Sequence, residues 1–217
     1  MPDTIQQQVL QELRSAIVRR ELPPGMPVRA DAVAGRMGVS RIPVREALRV
    51  LEAEGLVTSR PHKGVIVAEM NAADLHEIYL LRGLLETEAA RRAVPVLSGS
   101  VLAELDQLVA GMDEAIEDSD IRQMSDLNRK FHFTIYGENN LRQLLRIITM
   151  LWNQSDSYRS IYLANDEFCR QAQQEHRVIV DACHGREPER VIALLDEHRS
   201  RAEDGITGML RTAQASA

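Results

Sequence analysis

Residues 22–67 read LPPGMPVRADAVAGRMGVSRIPVREALRVLEAEGLVTSRPHKGVIV. Pro23, Pro24 and Gly25 end whatever helix precedes them. A short helix is expected over about 29–37, stopped by Gly38, and another over about 40–54, stopped by Gly55. In the second, Val44, Ala47, Leu48 and Leu51 recur at the i, i+3, i+4, i+7 spacing of one buried helical face. Only Gly38, Val39 and Ser40 separate the two helices. After Gly55 the period changes: 56–59 and 65–67 are β-prone, and Arg60-Pro-His-Lys-Gly64 between them has the residues of a hairpin loop. Upstream, Ile5, Val9, Leu13 and Ile17 recur every four residues, which predicts a helix over about 4–20 with that stripe buried. Residues 1–68 are thus expected to form a winged helix-turn-helix domain, a DNA-binding architecture.

Residues 69–217 carry no strand signal. Helices are expected at about 72–93, 100–118, 120–136, 141–164, 166–184 and 187–212, with breaks at Pro95/Gly99, 118–120, 137–140, Asn165 and Gly185. Six to seven helices make an all-α bundle. The fold class is therefore mainly α.

The chain has 217 residues and a formal net charge of −6, which on its own argues against a nucleic-acid partner. The average hides an asymmetry. Residues 1–68 hold 10 Lys and Arg against 7 Asp and Glu, while the remainder holds 16 against 25. A basic head on an acidic body suggests that only the head meets phosphates. No apolar run approaches a membrane span. The opening MPDTIQQQVLQEL lacks the apolar core of a secretory signal, and Cys169 and Cys183 form no disulfide framework, so a cytoplasmic protein is expected.

On a helical wheel Arg41, Arg45 and Arg49 fall within about 80° of one another, opposite the apolar stripe. Guanidinium forks match phosphate oxygens or the O6/N7 edge of guanine, and a major groove admits one helix. A solvated face balanced by Glu46 and Glu52 is the alternative. The expected contact set to double-stranded DNA is Ser40, Arg41, Ile42, Pro43, Arg45 and Arg49 on the helix, with His62, Lys63 and Gly64 at the wing.

The stretch LPPGMPV…VAGRMGVSRIPVREALRVLEAEGLVTSRPHKGVIV resembles the N-terminal domain of GntR-type bacterial transcription regulators. LHEIYLLRGLLETEAARRA (residues 75–93) resembles the start of the effector domain of their FadR subfamily, the FCD domain. Together the two resemblances span nearly the whole chain. They imply a regulator rather than an enzyme, and a homodimer on a pseudo-palindromic site, with most of the dimer contact in residues 69–217. The family usually has a small polar residue, most often Thr, where this chain has Ile42. About 100° from Arg41, Ile42 offers an apolar contact suited to a thymine methyl. The family also often has acidic residues where this chain has Ala30 and Ala32.

Three of the six histidines lie on apolar helix faces. His132 shares one with Ile121, Met124, Asn128 and Ile135; His176 with Cys169, Ala172, Ile179, Val180 and Cys183; His198 with Val191, Leu194, Leu195, Ala202 and Met209. Each could be a core histidine with its own hydrogen bonds. A divalent metal would satisfy all three together, and Asn128, four residues before His132, could add an oxygen. The family resemblance implies the same set, Asn128, His132, His176 and His198, with Asn128 standing where Asp is commoner. Three nitrogens and an oxygen suit zinc first, and also nickel or manganese.

In the regulator reading the metal's open positions take a small carboxylate effector. Arg82, on the inward stripe of its helix, is a candidate partner for it, although Glu86 one turn on could pair with Arg82 instead. The expected effector-contacting set is Tyr79, Arg82, Glu86 and Asn153, with Tyr158 and Arg159 as further candidates. Two other readings compete. A metal-dependent hydrolase with an accessory DNA-binding head needs a catalytic base, and no HExxH or similar signature occurs. A metal-free regulator of acyl-CoA thioesters is disfavoured by the three histidines, which such relatives lack.

Overall fold

The computed structural model describes residues 4–61, 63–69, 71–138 and 140–215. The chain divides into two compact units, Met1–Asn71 and Ala72–Ala217.

The first unit contains α1 (Ile5–Val18), α2 (Ala30–Met37), α3 (Arg41–Ala53), β1 (Val57–Arg60) and β2 (Gly64–Val67). Thr4 and Gln7 form a capping box that satisfies the first amides of α1. α2 ends on Gly38, whose φ of 66° is left-handed and costs glycine little. That tight cap lets α3 start at Arg41, turned against α2. Pro43 falls in the first turn of α3, where a missing amide hydrogen does no harm. β1 and β2 pair antiparallel, Val57 opposite Val67 and Arg60 opposite Gly64, and Pro27 bridges to Ile66. The core joins Val9, Leu13 and Ile17 to Val44, Ala47, Leu48 and Leu51 of α3 and Val57 and Val67 of the hairpin. Each such buried aliphatic contributes about 1.5–3 kcal/mol. One expectation fails: Ile5 is 56% exposed. It lies in the first turn of α1, and the core begins one turn further in, at Val9; Ala16 is buried in addition.

Every element of the second unit among its described residues is helical: α4 (Ala72–Ala93), a 3-10 turn (Val94–Val96), α5 (Gly99–Glu117), α6 (Ile121–Gly137), α7 (Arg142–Leu163), α8 (Asp166–His184) and α9 (Pro188–Ala215). Ser98, Asp120 and Asn165 cap the starts of α5, α6 and α8 with side-chain oxygens. α4 packs against α6, α7 and α9, and α8 packs against α5, α7 and α9. α9 crosses α4 closely at Gly83, where a Cβ would come within 3.3 Å of the Arg199 guanidinium. Ile121, expected on the buried face of α6, is 45% exposed because it opens the helix; burial starts at Met124. Among the described residues no helix is long and apolar enough to cross a membrane.

Candidate nucleic-acid interface and metal centre

α3 buries Val44, Ala47, Leu48 and Leu51 and turns Arg41, Ile42, Arg45 and Arg49 to solvent. Ile42 is 69% exposed on the same side of the helix as the arginines. Ser40 is the exposed N-cap and makes no side-chain capping bond, while Pro43 is half-buried. Arg41 Nε lies 2.6 Å from Asp31 Oδ1 on α2, a contact the sequence did not suggest. Both partners are 64% exposed, so the pair is weak and easily exchanged for a phosphate. On the wing, Lys63 and Gly64 are exposed, and Gly64 has a φ of 72°. His62 lies outside the described residues.

In the second unit α6, α8 and α9 bring His132, His176 and His198 together. One ring nitrogen from each lies within 4.8 Å of the others, and ring centroids are 5.4 Å (His132–His176), 5.1 Å (His132–His198) and 4.7 Å (His176–His198) apart. His132 and His176 are buried, and the His198 side chain is 11% exposed. Burial, and then the neighbouring imidazoles, hold the pKa of His132 well below 6.5; burial, then His198, does the same for His176. Both are therefore neutral near pH 7, the form that ligates metals.

The outer nitrogens are oriented. His198 Nδ1 lies 2.6 Å from Glu175 Oε2, and His176 Nδ1 lies 3.3 Å from Gln173 Oε1. Both partners are acceptors, so each Nδ1 is the donor, and in the neutral imidazole of His176 Nε2 is then left as a lone pair. His176 Nε2 and His132 Nδ1 are buried without any hydrogen-bond partner. Asn128, one turn before His132, is 1% exposed, and its amide nitrogen is likewise unpartnered. A carboxamide can be turned over to put its oxygen where the nitrogen stands. An ion with nitrogen ligands at about 2.1 Å needs them roughly 3.4 Å apart, so nitrogens that lie within 4.8 Å of one another must draw together to share one. The residues fit a divalent metal.

Beside the histidines lies a polar network centred on Glu86. Its carboxylate accepts from Arg82 Nε (2.8 Å), Trp152 Nε1 (2.6 Å), Tyr136 OH (3.0 Å) and Arg199 Nη1 (3.0 Å). Burial opposes ionisation, but Arg82 and Arg199 outweigh it and hold Glu86 below the usual carboxylate range. Glu86, expected among the effector contacts, is thus consumed by donors on α4, α6, α7 and α9. The ion pair that competed for Arg82 is present, yet Arg82 Nη1 remains buried and unpartnered, as does Tyr79 OH. Asn153 is buried and its Oδ1 accepts from Arg129 Nη2 at 2.9 Å. Arg159 is 7% exposed and Tyr158 5%.

Sequence reading missed Gln173, Glu175, Trp152 and Arg199. Arg199 left a signal, a charge inside the α9 stripe between Leu195 and Ala202. Glu175 left none, since its role depends on how α8 meets α9. The remaining histidines, His76 and His184, form exposed pairs with Glu203 and Asp106.

Comparison with known proteins agrees with this architecture. Residues 5–67 match the bacterial regulatory proteins of the gntR family, and residues 77–201 match the FCD domain. The chain is 33% identical over 145 residues to the HTH-type transcriptional regulator McbR of Escherichia coli K12, covering 67% of this chain and 66% of that one. It is 32% identical over 198 residues to a probable D-xylose utilization operon transcriptional repressor of Paenarthrobacter nicotinovorans, covering 90% of this chain and 85% of that one. The solved structure of E. coli McbR/YncC superposes with a TM-score of 0.85 at 26% identity, over 98% of this chain and 100% of that one. These relatives are regulators, which sets the hydrolase reading aside. The chain belongs to the GntR family of bacterial transcription regulators, as a DNA-binding member carrying an FCD domain of the FadR-subfamily type.

Proposed function

We propose that this regulator binds a divalent metal at His132, His176 and His198, with Asn128 as a fourth donor, and that a small carboxylate effector bound there controls its affinity for operator DNA. The observation that carries the reading is the inward set of unpartnered buried nitrogens on His132 and His176, flanked by Arg82 Nη1 and Tyr79 OH. Buried polar atoms are nearly always partnered, so this cluster suits a bound polar group. The donor set favours zinc, then nickel or manganese.

The metal supplies a positive centre for a carboxylate. The protein's own residues do the rest: Glu175 and Gln173 orient the imidazoles, while Glu86 anchors Arg82 with its Nη1 free. An effector changes operator affinity only by binding one arrangement of the protein better than another. In the DNA-binding unit, Arg41, Arg45 and Arg49 contact phosphates and base edges, and Ile42 meets a thymine methyl. His62, Lys63 and Gly64 serve the wing.

One helix-turn-helix reads too short a site alone, so the working form is a homodimer. Leu80 and Leu84, 55% and 65% exposed on α4, support a second copy as the partner. They border a groove of about 520 Å³ lined also by Tyr79, Gly83, Thr87 and Arg199. Elemental analysis of protein purified without chelators, followed by operator titrations with and without candidate acids, tests the reading. Metal-free protein that no added zinc, nickel or manganese stabilises would overturn it.

A further inference from the structure

Four guanidinium groups gather on the Trp152 side of the site, and two of them, Arg82 and Arg159, keep a buried nitrogen without an acceptor. Arg82 and Arg199 share the single carboxylate of Glu86. Arg129 and Arg159 share that of Asp156, Arg129 through Nη1 at 2.6 Å. Asp196 also meets Arg199 but is half exposed. A divalent ion would add positive charge here, and the histidine and asparagine donors carry no negative charge to offset it. Burying unbalanced charge is costly unless a ligand brings the counter-charge.

The unpartnered groups lie close together. The Arg159 guanidinium lies 3.8 Å from the centre of the Trp152 ring and the Arg82 guanidinium 4.3 Å from it; Arg82 also lies 4.7 Å from the Tyr79 ring. The His132 ring is 5.1 Å from that same indole. Arg159 Nη1, Arg82 Nη1 and Tyr79 OH are all buried without an acceptor. Burial, then the like charge of Arg82, lowers the Arg159 pKa to about 9.

We infer that Arg159, Arg82 and the Tyr79 hydroxyl form an anion clamp for a second acidic group of the effector, so that the ligand class is a small organic acid carrying two anionic groups, one for the three-histidine centre and one for the clamp. This rests on the metal-and-carboxylate reading above. It goes further in assigning a role to Arg159 and in excluding simple monocarboxylates as the natural class. Arginine suits the task because its fork holds a carboxylate by two parallel hydrogen bonds.

The test uses full-length, metal-loaded protein and a panel of diacids from malonate to adipate, with malate, each against the monoacid of the same carbon skeleton, such as succinate against butyrate. Calorimetry and melting shifts are read on wild type, Arg159→Gln and Arg159→Lys. Asp156 keeps Arg129 when Arg159 is replaced, so no carboxylate is orphaned. At least one diacid should bind tenfold or more tighter than its monoacid. Arg159→Gln should erase the preference, and Arg159→Lys should keep part of it. Equal binding of diacids and monoacids to wild type overturns the clamp while leaving the carboxylate reading standing. So does a preference that survives Arg159→Gln. If no acid of either kind binds the metal-loaded protein, the carboxylate reading falls and the clamp with it. Should Arg159→Gln not fold, the wild-type comparison alone decides.

Discussion

His198 and Glu175 are joined at 2.6 Å through Nδ1 and Oε2, across the contact between α9 and α8. The carboxylate orients the ring with Nε2 turned away from it, as the outer partner of a metal-ligating histidine does. Burial would raise the Glu175 pKa, but the hydrogen bonds from His198 and Gln171 hold it at about 2, so it stays ionised. Glu175→Gln should weaken metal affinity by about 10–100-fold, the usual effect of losing such a partner. Competition with a fluorescent chelator measures it. Unchanged affinity would mean that Glu175 serves only Arg201 and Gln171, its other partners.

Asn128 is the one candidate donor that differs from the commoner acidic residue. Asn128→Asp should tighten metal binding, because an anionic oxygen replaces a neutral one beside neutral imidazoles. His132→Ala, His176→Ala and His198→Ala should each lower bound metal and remove the metal-dependent rise in melting temperature. Metal that binds only the folded state stabilises it by about 2.7 kcal/mol at a hundredfold excess over its dissociation constant. Metal contents that do not change across these four variants would remove the site.

Acid stability follows from the two buried imidazoles. The folded pKa values of His132 and His176 lie well below 6.5. Above pH 6.5 both the folded and the unfolded chain hold them neutral, so they add no pH dependence. As pH falls through 6.5 the unfolded chain takes up protons that the fold excludes, and stability falls at up to about 2.7 kcal/mol per pH unit for two groups. Glu175, depressed to about 2 in the fold, adds to the loss between pH 4.5 and 2. Urea melts of chelated protein from pH 8 to 5 should show the slope, and His176→Gln should halve it. A flat profile would falsify the assignment of these imidazoles as neutral and buried.

Much of this site was legible because a histidine inside an apolar helical stripe stands out, and three stripes on separate helices point to one interior. The same logic failed at the helix starts. Ile5 and Ile121 fit their periodicities yet face solvent, since a first turn projects beyond the elements that cover the rest. The Glu86 network was only partly readable. Its bond to Arg82 is a local i, i+4 pair, but Tyr136, Trp152 and Arg199 reach it from three other helices, 50, 66 and 113 residues away. No local pattern encodes such distances, so the sequence points to Glu86 only through Arg82, while the fold brings three further donors to its carboxylate.

The proposed dimer is tested on α4. Leu80 and Leu84 are one turn apart on its solvent face. In a two-fold interface each substitution acts twice. Burying a leucine contributes about 1.5–3 kcal/mol, so replacing both by aspartate should shift the protein to monomers at micromolar concentration. Sedimentation velocity reads the mass directly. A dimer that persists would place the contact elsewhere on the FCD domain.

The DNA face makes a prediction that depends on Asp31. Arg41 is paired with that exposed carboxylate, and in the proposed contact it exchanges it for a phosphate. An exposed pair is worth about 0–1 kcal/mol, so the exchange costs little, but Asp31 also sets a negative charge beside the backbone it approaches. Asp31→Ala should therefore tighten operator binding a few-fold, most at low salt, where screening is weakest. Arg45→Ala should do the opposite and lose about 1–3 kcal/mol if it reads a base edge. The loss should then depend on operator sequence. Lys63→Ala should weaken binding to all sequences alike and reduce the salt slope by about one ion, as a phosphate contact does. Ile42→Thr should change the preferred base and leave overall affinity nearly unaltered, because an apolar contact is exchanged for a polar one. Fluorescence anisotropy against salt, with selection from a randomised operator, separates these effects. If Asp31→Ala weakens binding instead, Asp31 is organising Arg41 for the DNA rather than withholding it.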